Sequence, residues 1–396
     1  MLNIMNVARS LLYLFSLTIC LVCCGNNDEP GLSDKEPDKE QTKDPDKEPD
    51  KEPDKDPTED PDDSKPYFAD TGNKYEPIDG KCFLFVGQDM GAIGGLSDYS
   101  DGYCDKFDTP AGITVYFSLV PETTGKGLFV KSNWGAGDCY ADRQAHDDRF
   151  KDCMIAIGMA MVRQENNILS GKCDETLKRY GDWFKELAPR PVFLRIGYEF
   201  DGYDWNFYQK DSYKKVFCYV KDKLEAQGVD NVAYVWQSKG YGTSVAELEQ
   251  WYPGDEYVDW CSYSHFGSPD LNMIAFAEKR RKPVFIAEAT PILTSPGSIS
   301  DECKTTNPTQ ATLMWDKWFT PFFKRIDSYD CIKAISYINV DWYNQRMWKS
   351  NPLFKVVDSR LQKSTMLTKK WNNEMEDARY IDLEDFQNHF PELCGK

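Results

Sequence analysis

Histidine is almost missing from this chain of 396 residues, which has only His146, His265 and His389. No Cys-x-x-Cys pair accompanies them, so the sequence has little from which to build a zinc cluster, and no metal is expected. Basic charge is also scarce: 47 lysines and arginines stand against 65 acids, for a net charge of −18. A nucleic-acid partner is excluded on that ground, because no basic stripe exists to displace phosphate counterions. A dinucleotide fingerprint is missing too. The segment GQDMGAIGG (87–95) departs from G-x-G-x-x-G and has no clear helix after it, so no cofactor is expected.

Long apolar runs are lacking as well. The longest opening stretch, LLYLFSLTICLV, follows a single Arg9 and is too short to span a membrane comfortably. It reads as the hydrophobic region of an export signal over residues 1–23. The following Leu21-Val22-Cys23-Cys24-Gly25 resembles a bacterial lipobox, with Cys24 as the lipidated residue, although Cys23 replaces the usual Gly, Ala or Ser. An ordinary cleaved secretion signal is the alternative. The expectation is an exported lipoprotein, held to a membrane by its N-terminal lipid at the cell surface or in the periplasm.

Residues 24–65 contain near-repeats of Asp-Lys-Glu-Pro. Between Asn27 and Lys65 there are 17 acids and 7 lysines, more than half of the chain's net charge. Almost nothing there can be buried to offset the entropy of ordering, so a disordered, extended acidic linker is expected. At ~3.1 Å per residue it reaches on the order of 100 Å. Ten cysteines remain from Cys82 to Cys394. That even count suits disulfides in an exported domain, and strand settings such as Cys82 and Cys261 suit buried thiols equally.

Residues 66–396 fit one α/β domain. Eight apolar runs recur along it: 81–89, 112–119, 154–162, 191–200, 231–238, 257–266, 282–290 and 331–342, with amphipathic stretches between them. Eight strands alternating with helices predict a (β/α)8 TIM barrel, whereas an open doubly wound sheet shows fewer strands.

The chemistry of such a barrel sits at the C-terminal ends of its strands. Polar or aromatic groups end nearly every run: Gln88 and Asp89, Glu199, Gln237 and Ser238, Tyr263 and His265, Glu288, and Asn339, Asp341 and Trp342. Strict alternation predicts that Arg195, Gly197 and Glu199 share one face of strand four, and that Val284, Ile286 and Glu288 share one face of strand seven. Two carboxylates opposed across the mouth are what glycoside cleavage needs, one to protonate the leaving oxygen and the other to attack the anomeric carbon or activate water. Retention requires a carboxyl separation of ~5–5.5 Å, and inversion ~6.5–9.5 Å.

The segments FLRIGYEFDG on strand four, YPGDEYVDW leading into strand six and KPVFIAEA on strand seven resemble glycoside hydrolase family 26 and its clan A relatives, over most of residues 80–375. The resemblance implies a retaining, endo-acting hydrolase of a β-linked polysaccharide such as mannan, xylan or mixed-linkage glucan. It makes Glu199 the acid/base and Glu288 the nucleophile. The residue before the acid/base is usually Asn in the clan and His in family 26, and here it is Tyr198, so its sugar contact differs.

Each residue also has a plainer reading. A lone strand-end glutamate is often a helix cap or surface salt bridge, and Arg195 is equally read as a structural ion pair. Asp201 competes with Glu199 as the acid, or orients its loop. Substrate contacts are expected from Arg195, Tyr198, Trp134, Trp205, Gln237, Tyr263, His265 and Trp342. The tryptophans and His265 also suit a core, and Glu288 is expected to accept a hydrogen bond from Arg195 or Tyr263. The partners are then a polysaccharide and, through the anchor, a membrane, with the protein a monomer. The rival function is a non-catalytic, surface glycan-binding lipoprotein on the same barrel; a purely structural surface protein is the third reading.

Overall fold

The structure is a computed structural model that describes residues 67–293 and 303–394. The export signal (1–23), Cys24 and the acidic linker (24–65) lie outside the described residues. Among those described, no helix is long and apolar enough to cross a membrane.

Each of the eight apolar runs forms a strand: β1 (Cys82–Gly87), β2 (Gly112–Ser118), β3 (Met154–Ala160), β4 (Val192–Ile196), β5 (Val232–Ser238), β6 (Trp260–His265), β7 (Val284–Ala289) and β8 (Ile332–Ile338). Neighbours pair in parallel in sequence order, and β8 returns to pair with β1, closing an eight-stranded (β/α)8 barrel. Helices α1 (Asp174–Leu187), α2 (Lys210–Ala226), α3 (Val245–Trp251) and α4 (Leu271–Arg280) follow strands β3 to β6. A two-residue β9 (Tyr380–Ile381) pairs in parallel with the start of β1, at Cys82 and Phe83, ahead of where β2 joins it.

The strands are buried on both faces, as continuous Val, Ile, Leu and Phe runs require. Alternation sends Phe83, Phe85, Phe193, Trp260 and Phe285 into the barrel, and Val192, Leu194, Val284 and Ile286 towards the helices. The floor is aromatic and is closed from below by Phe386 and Phe390 near the C-terminus, with Phe68 and Tyr75 alongside. Gly112 leaves room for this packing, since a Cβ there would meet the Phe85 ring at 2.1 Å. Above the floor the interior becomes small and polar, and Thr114 and Ser336 hydrogen-bond across it at 2.7 Å.

Two strands end four residues before their apolar runs do, β4 at Ile196 and β8 at Ile338. After β4 the chain leaves the extended conformation because Gly197 and Glu199 take φ of +56° and +52°. The cysteines Cys82 to Cys394 are free thiols among the described residues, most of them buried.

Candidate active site

Strict alternation does not place Glu288. Val284 and Ile286 face the helices, while Phe285 and Ala287 face the barrel interior. Along the β6–β7 ladder Tyr263 pairs with Ile286, but the next residue, Ser264, already pairs with Glu288. The β7–β8 ladder shifts over the same stretch, from Ile286 opposite Ile335 to Ala289 opposite Tyr337. One extra residue in β7 is the signature of a bulge, which re-aims the following side chain. Glu288 thus turns inward, to Arg195, although Val284 and Ile286, four and two residues earlier, point outward.

Arg195 lies fully buried at the top of β4. Its guanidinium sits 4.9 Å from the Tyr116 ring centre and 5.4 Å from that of Tyr198. Gly158 on β3 makes this possible, because a Cβ there would meet the Tyr116 ring at 2.5 Å and Arg195 Nη2 at 2.9 Å. Arg195 Nη1 donates to Glu288 Oε1 at 2.8 Å and to Gln237 Oε1 at 2.9 Å. Gln237 Nε2 donates to Ser264 Oγ at 3.0 Å, and the Ser264 hydroxyl donates to Glu199 Oε1 at 2.8 Å. These four bonds join the two glutamates into one network. Burial disfavours the Arg195 cation, yet the Tyr116 and Glu288 oxygens around it carry its pKa above the ordinary value.

Glu199 stands on a left-handed backbone turn that few non-glycine residues adopt. The turn is held by the Asn206 side-chain amide, which donates to the carbonyls of Tyr198 at 2.9 Å and Glu199 at 2.8 Å. Trp205 Nε1 donates to Glu199 Oε2 at 2.9 Å. Its indole fits because residue 202 is glycine, where a Cβ would lie 2.3 Å from the ring. Burial first, and then the charge of Glu288, push the Glu199 carboxyl up to about 8, against the opposing hydrogen bonds from Ser264 and Trp205. Two carboxyls in one mouth, one raised and partly exposed and the other facing a guanidinium, form an arrangement suited to acid–base and nucleophilic work.

Asp201, the competing carboxylate, is fully buried. It accepts the Lys239 backbone N–H at 2.7 Å and the Thr243 hydroxyl, which braces the loop after β5. It therefore orients the loop, the second of its two readings.

Three of the expected substrate contacts lie elsewhere. Tyr263 and His265 point away from the barrel interior, because Trp260, Ser262 and Ser264 occupy the inward positions of β6. His265 packs edge-on against Trp318 and Phe322, and burial lowers its pKa to about 3, so it stays neutral. Glu288 consequently takes its hydrogen bond from Arg195, not from Tyr263. Trp342 is core, packed against Phe266, Trp348 and Phe354. Gln237 is at the mouth but wholly buried, with both ends of its amide engaged, so it positions its neighbours. Trp134 is 41% exposed, on the excursion between β2 and β3. It adjoins a cavity of about 470 Å³ lined by Asn133, Gly135, Gly137, Asn344, Gln345 and Arg346. Gln345 also donates to Asp89, at the end of β1, at 3.2 Å. Burial raises Asp89 to about 6, opposed by hydrogen bonds from the Ala92 and Gly91 N–H groups and Gln345.

Sequence reasoning missed Ser264, Tyr116 and Gly158. Counting alternation from Trp260 would have found Ser264, whereas choosing the largest polar side chains at the strand end favoured its neighbours.

Residues 161–320 match the family profile of Glycosyl hydrolase family 26. A β-1,3-xylanase (TXYA) of a Vibrio species is 31% identical over 337 residues, covering 78% of this chain and 69% of that protein. A β-1,3-xylanase of an Alcaligenes species is 31% identical over 341 residues, covering 81% and 68%. Among solved structures, the fold is similar to a GH26 β-mannanase from Bacteroides ovatus, with a TM-score of 0.52 at 15% identity over 77% of this chain and 91% of that one. It is also similar to GH26C from a Muricauda species, with a TM-score of 0.53 at 16% identity over 79% and 90%. The chain belongs to glycoside hydrolase family 26, as a divergent member in which Tyr198 precedes the strand-four glutamate, and it is a glycoside hydrolase.

Proposed function

We propose that this protein cleaves a β-linked xylan, β-1,3-xylan foremost, within the chain and with retention at the anomeric carbon. The observation carrying this reading is the hydrogen-bonded path Glu288–Arg195–Gln237–Ser264–Glu199. The two β-1,3-xylanase relatives support the choice of polymer.

In the first step a Glu288 oxygen attacks the anomeric carbon while the bond from that carbon to the leaving oxygen breaks. Glu199, protonated near neutrality because its pKa is raised, gives its proton to that oxygen. Glu199 is then a carboxylate, and the Ser264 and Trp205 donors stabilise that charged form. In the second step it takes a proton from water as the water oxygen attacks the same carbon and the glycosyl–Glu288 bond breaks. Arg195 stays on Glu288 throughout, favouring its departure as a carboxylate.

The test is release of new reducing ends from β-1,3-xylan, β-1,4-xylan, mannan and mixed-linkage glucan, with the first-formed anomer read by proton NMR and E288Q run alongside. A β-anomer from the wild type alone supports the reading. An α-anomer sinks the nucleophile role of Glu288. Tight glycan retention without products by both proteins would favour a binding protein instead. The export signal and lipobox-like Cys24 support anchoring at a membrane by the acidic tether. Incorporation of labelled palmitate into the wild type but not C24A tests that part.

A further inference from the structure

Beside Glu199 stand two exposed aromatic rings that the reaction scheme leaves unused: Tyr203, 47% exposed, and Tyr241, 53% exposed. Between them lies Lys239, its Nζ 5.7 Å from the Tyr203 ring centre and 5.0 Å from that of Tyr241. One ring is braced by packing and the other stands on a braced loop. Tyr203 leans on Trp251 of α3, with ring centres 5.8 Å apart. The Tyr241 loop is clamped on three sides. Asp201 accepts the Lys239 N–H and the Thr243 hydroxyl, and Asn272 donates to the Thr243 carbonyl at 2.9 Å. Gly240, at φ +87°, presses against β6, where a Cβ would come 1.8 Å from the Ser264 carbonyl oxygen. The loop carrying Tyr241 is thereby fixed to the residue whose hydroxyl donates to Glu199. Partial burial of the Tyr241 hydroxyl end first, and then the charges of Glu199, Asp201 and Asp204, raise its pKa to about 12.

We propose that Tyr203 and Tyr241, with Lys239 between them, form the stacking platform for the sugars on the leaving-group side of the scissile bond. The proposal rests on Glu199 being the acid. A proton donor must reach the glycosidic oxygen, whereas a nucleophile must reach the anomeric carbon, so the arm of the chain nearest the donor is the departing one. The platform comes from the loops after β4 and β5, beside Glu199. The cavity at Gly135 and Gln345 lies instead on the excursion after β2 and the segment after β8, at the other rim. A sugar presents apolar C–H faces that suit a tyrosine ring, and rigid rings lose little entropy on binding. Lys239 adds a donor for ring hydroxyls between the two stacking positions.

The test uses the pentaoses of β-1,3-xylose, β-1,4-xylose and β-1,4-mannose, with the 2,4-dinitrophenyl disaccharide of whichever sugar is cleaved. That aryl glycoside offers no sugar on the departing side and needs no proton to leave. For Y203A and Y241A, kcat/KM on the pentaose is expected to fall about tenfold more than on the aryl glycoside, the loss of one aromatic contact of roughly 1–1.5 kcal/mol, and for the double variant about a hundredfold more. The bond cleaved should move towards products with a shorter departing arm. Y241F and Y203F should restore both readouts, which separates stacking from misfolding. An equal loss on the two substrates, or no loss on either, overturns the platform. The parent reading is tested separately by E199Q: loss of its aryl-glycoside burst removes the acid role, as does cleavage of none of the pentaoses by the wild type.

Discussion

Arg195 and Glu288 meet at 2.8 Å across the mouth of the barrel, one from the top of β4 and the other from beyond a bulge in β7. The guanidinium is fully buried and shares one nitrogen between Glu288 and Gln237, so the position of Glu288 and the network reaching Glu199 depend on one side chain.

Replacing Arg195 separates charge from geometry. In R195M a buried carboxylate loses its cation, and the fold should lose roughly 3–5 kcal/mol. R195K keeps the charge, but an ammonium lacks the planar fork, so turnover should fall on the order of a hundredfold with a smaller loss of stability. Denaturant melts and kcat for both variants check this; wild-type turnover in R195K would refute it.

The pH profile of kcat/KM should show a basic limb near 8, because the proposed reaction needs Glu199 protonated at its start and the pKa of that carboxyl is raised to about 8. The Ser264 hydroxyl favours the ionised form, so S264A should move that limb to higher pH. W205F should act in the same direction. A limb near the ordinary carboxyl value of ~4.3, or a downward move in both variants, would contradict the assignment.

Stability should follow the same group. The folded protein binds the Glu199 proton more tightly than the unfolded chain, so its contribution is fully present below pH 4.5 and is lost as pH rises to about 8. E199Q cannot lose that proton. Its melting temperature relative to wild type should therefore rise between pH 5 and pH 9, and a difference independent of pH would count against a raised pKa.

Gly158 should be intolerant of a single methyl group. A Cβ there lies 2.5 Å from the Tyr116 ring and 2.9 Å from Arg195, both packed side chains with little room to retreat. G158A is expected to lower kcat at least tenfold and to destabilise by about 1–3 kcal/mol. Unchanged kinetics would show that Tyr116 does not fix the arginine.

Much of the fold was legible because its cause is local. Eight runs such as Val192–Ile196 had to be buried on both faces, as a parallel sheet wrapped by helices does, and their number matched a closed barrel. Glu199 and Glu288 were visible as charges directly after apolar runs. Arg195 was legible too, since it follows Phe193 in plain alternation into the barrel. Tyr263, His265 and Trp342 were misread because a strand of mixed polarity leaves the phase of its alternation open, and neutral aromatic or imidazole groups bury as readily as they bind.

The sequence by itself determined the barrel, the two glutamates and the acidic tract before them, since hydrophobic period and charge are properties of neighbouring residues. Only the tertiary structure decided how Glu288 reaches Arg195. A bulge is one residue's mismatch between strands, and the sequence of one strand does not record its partners' register. The same holds for Ser264, Gly158 and the exposed pair Tyr203 and Tyr241. Their roles arise from approaches between segments far apart in the chain, where packing and burial, and not composition, set distance and pKa.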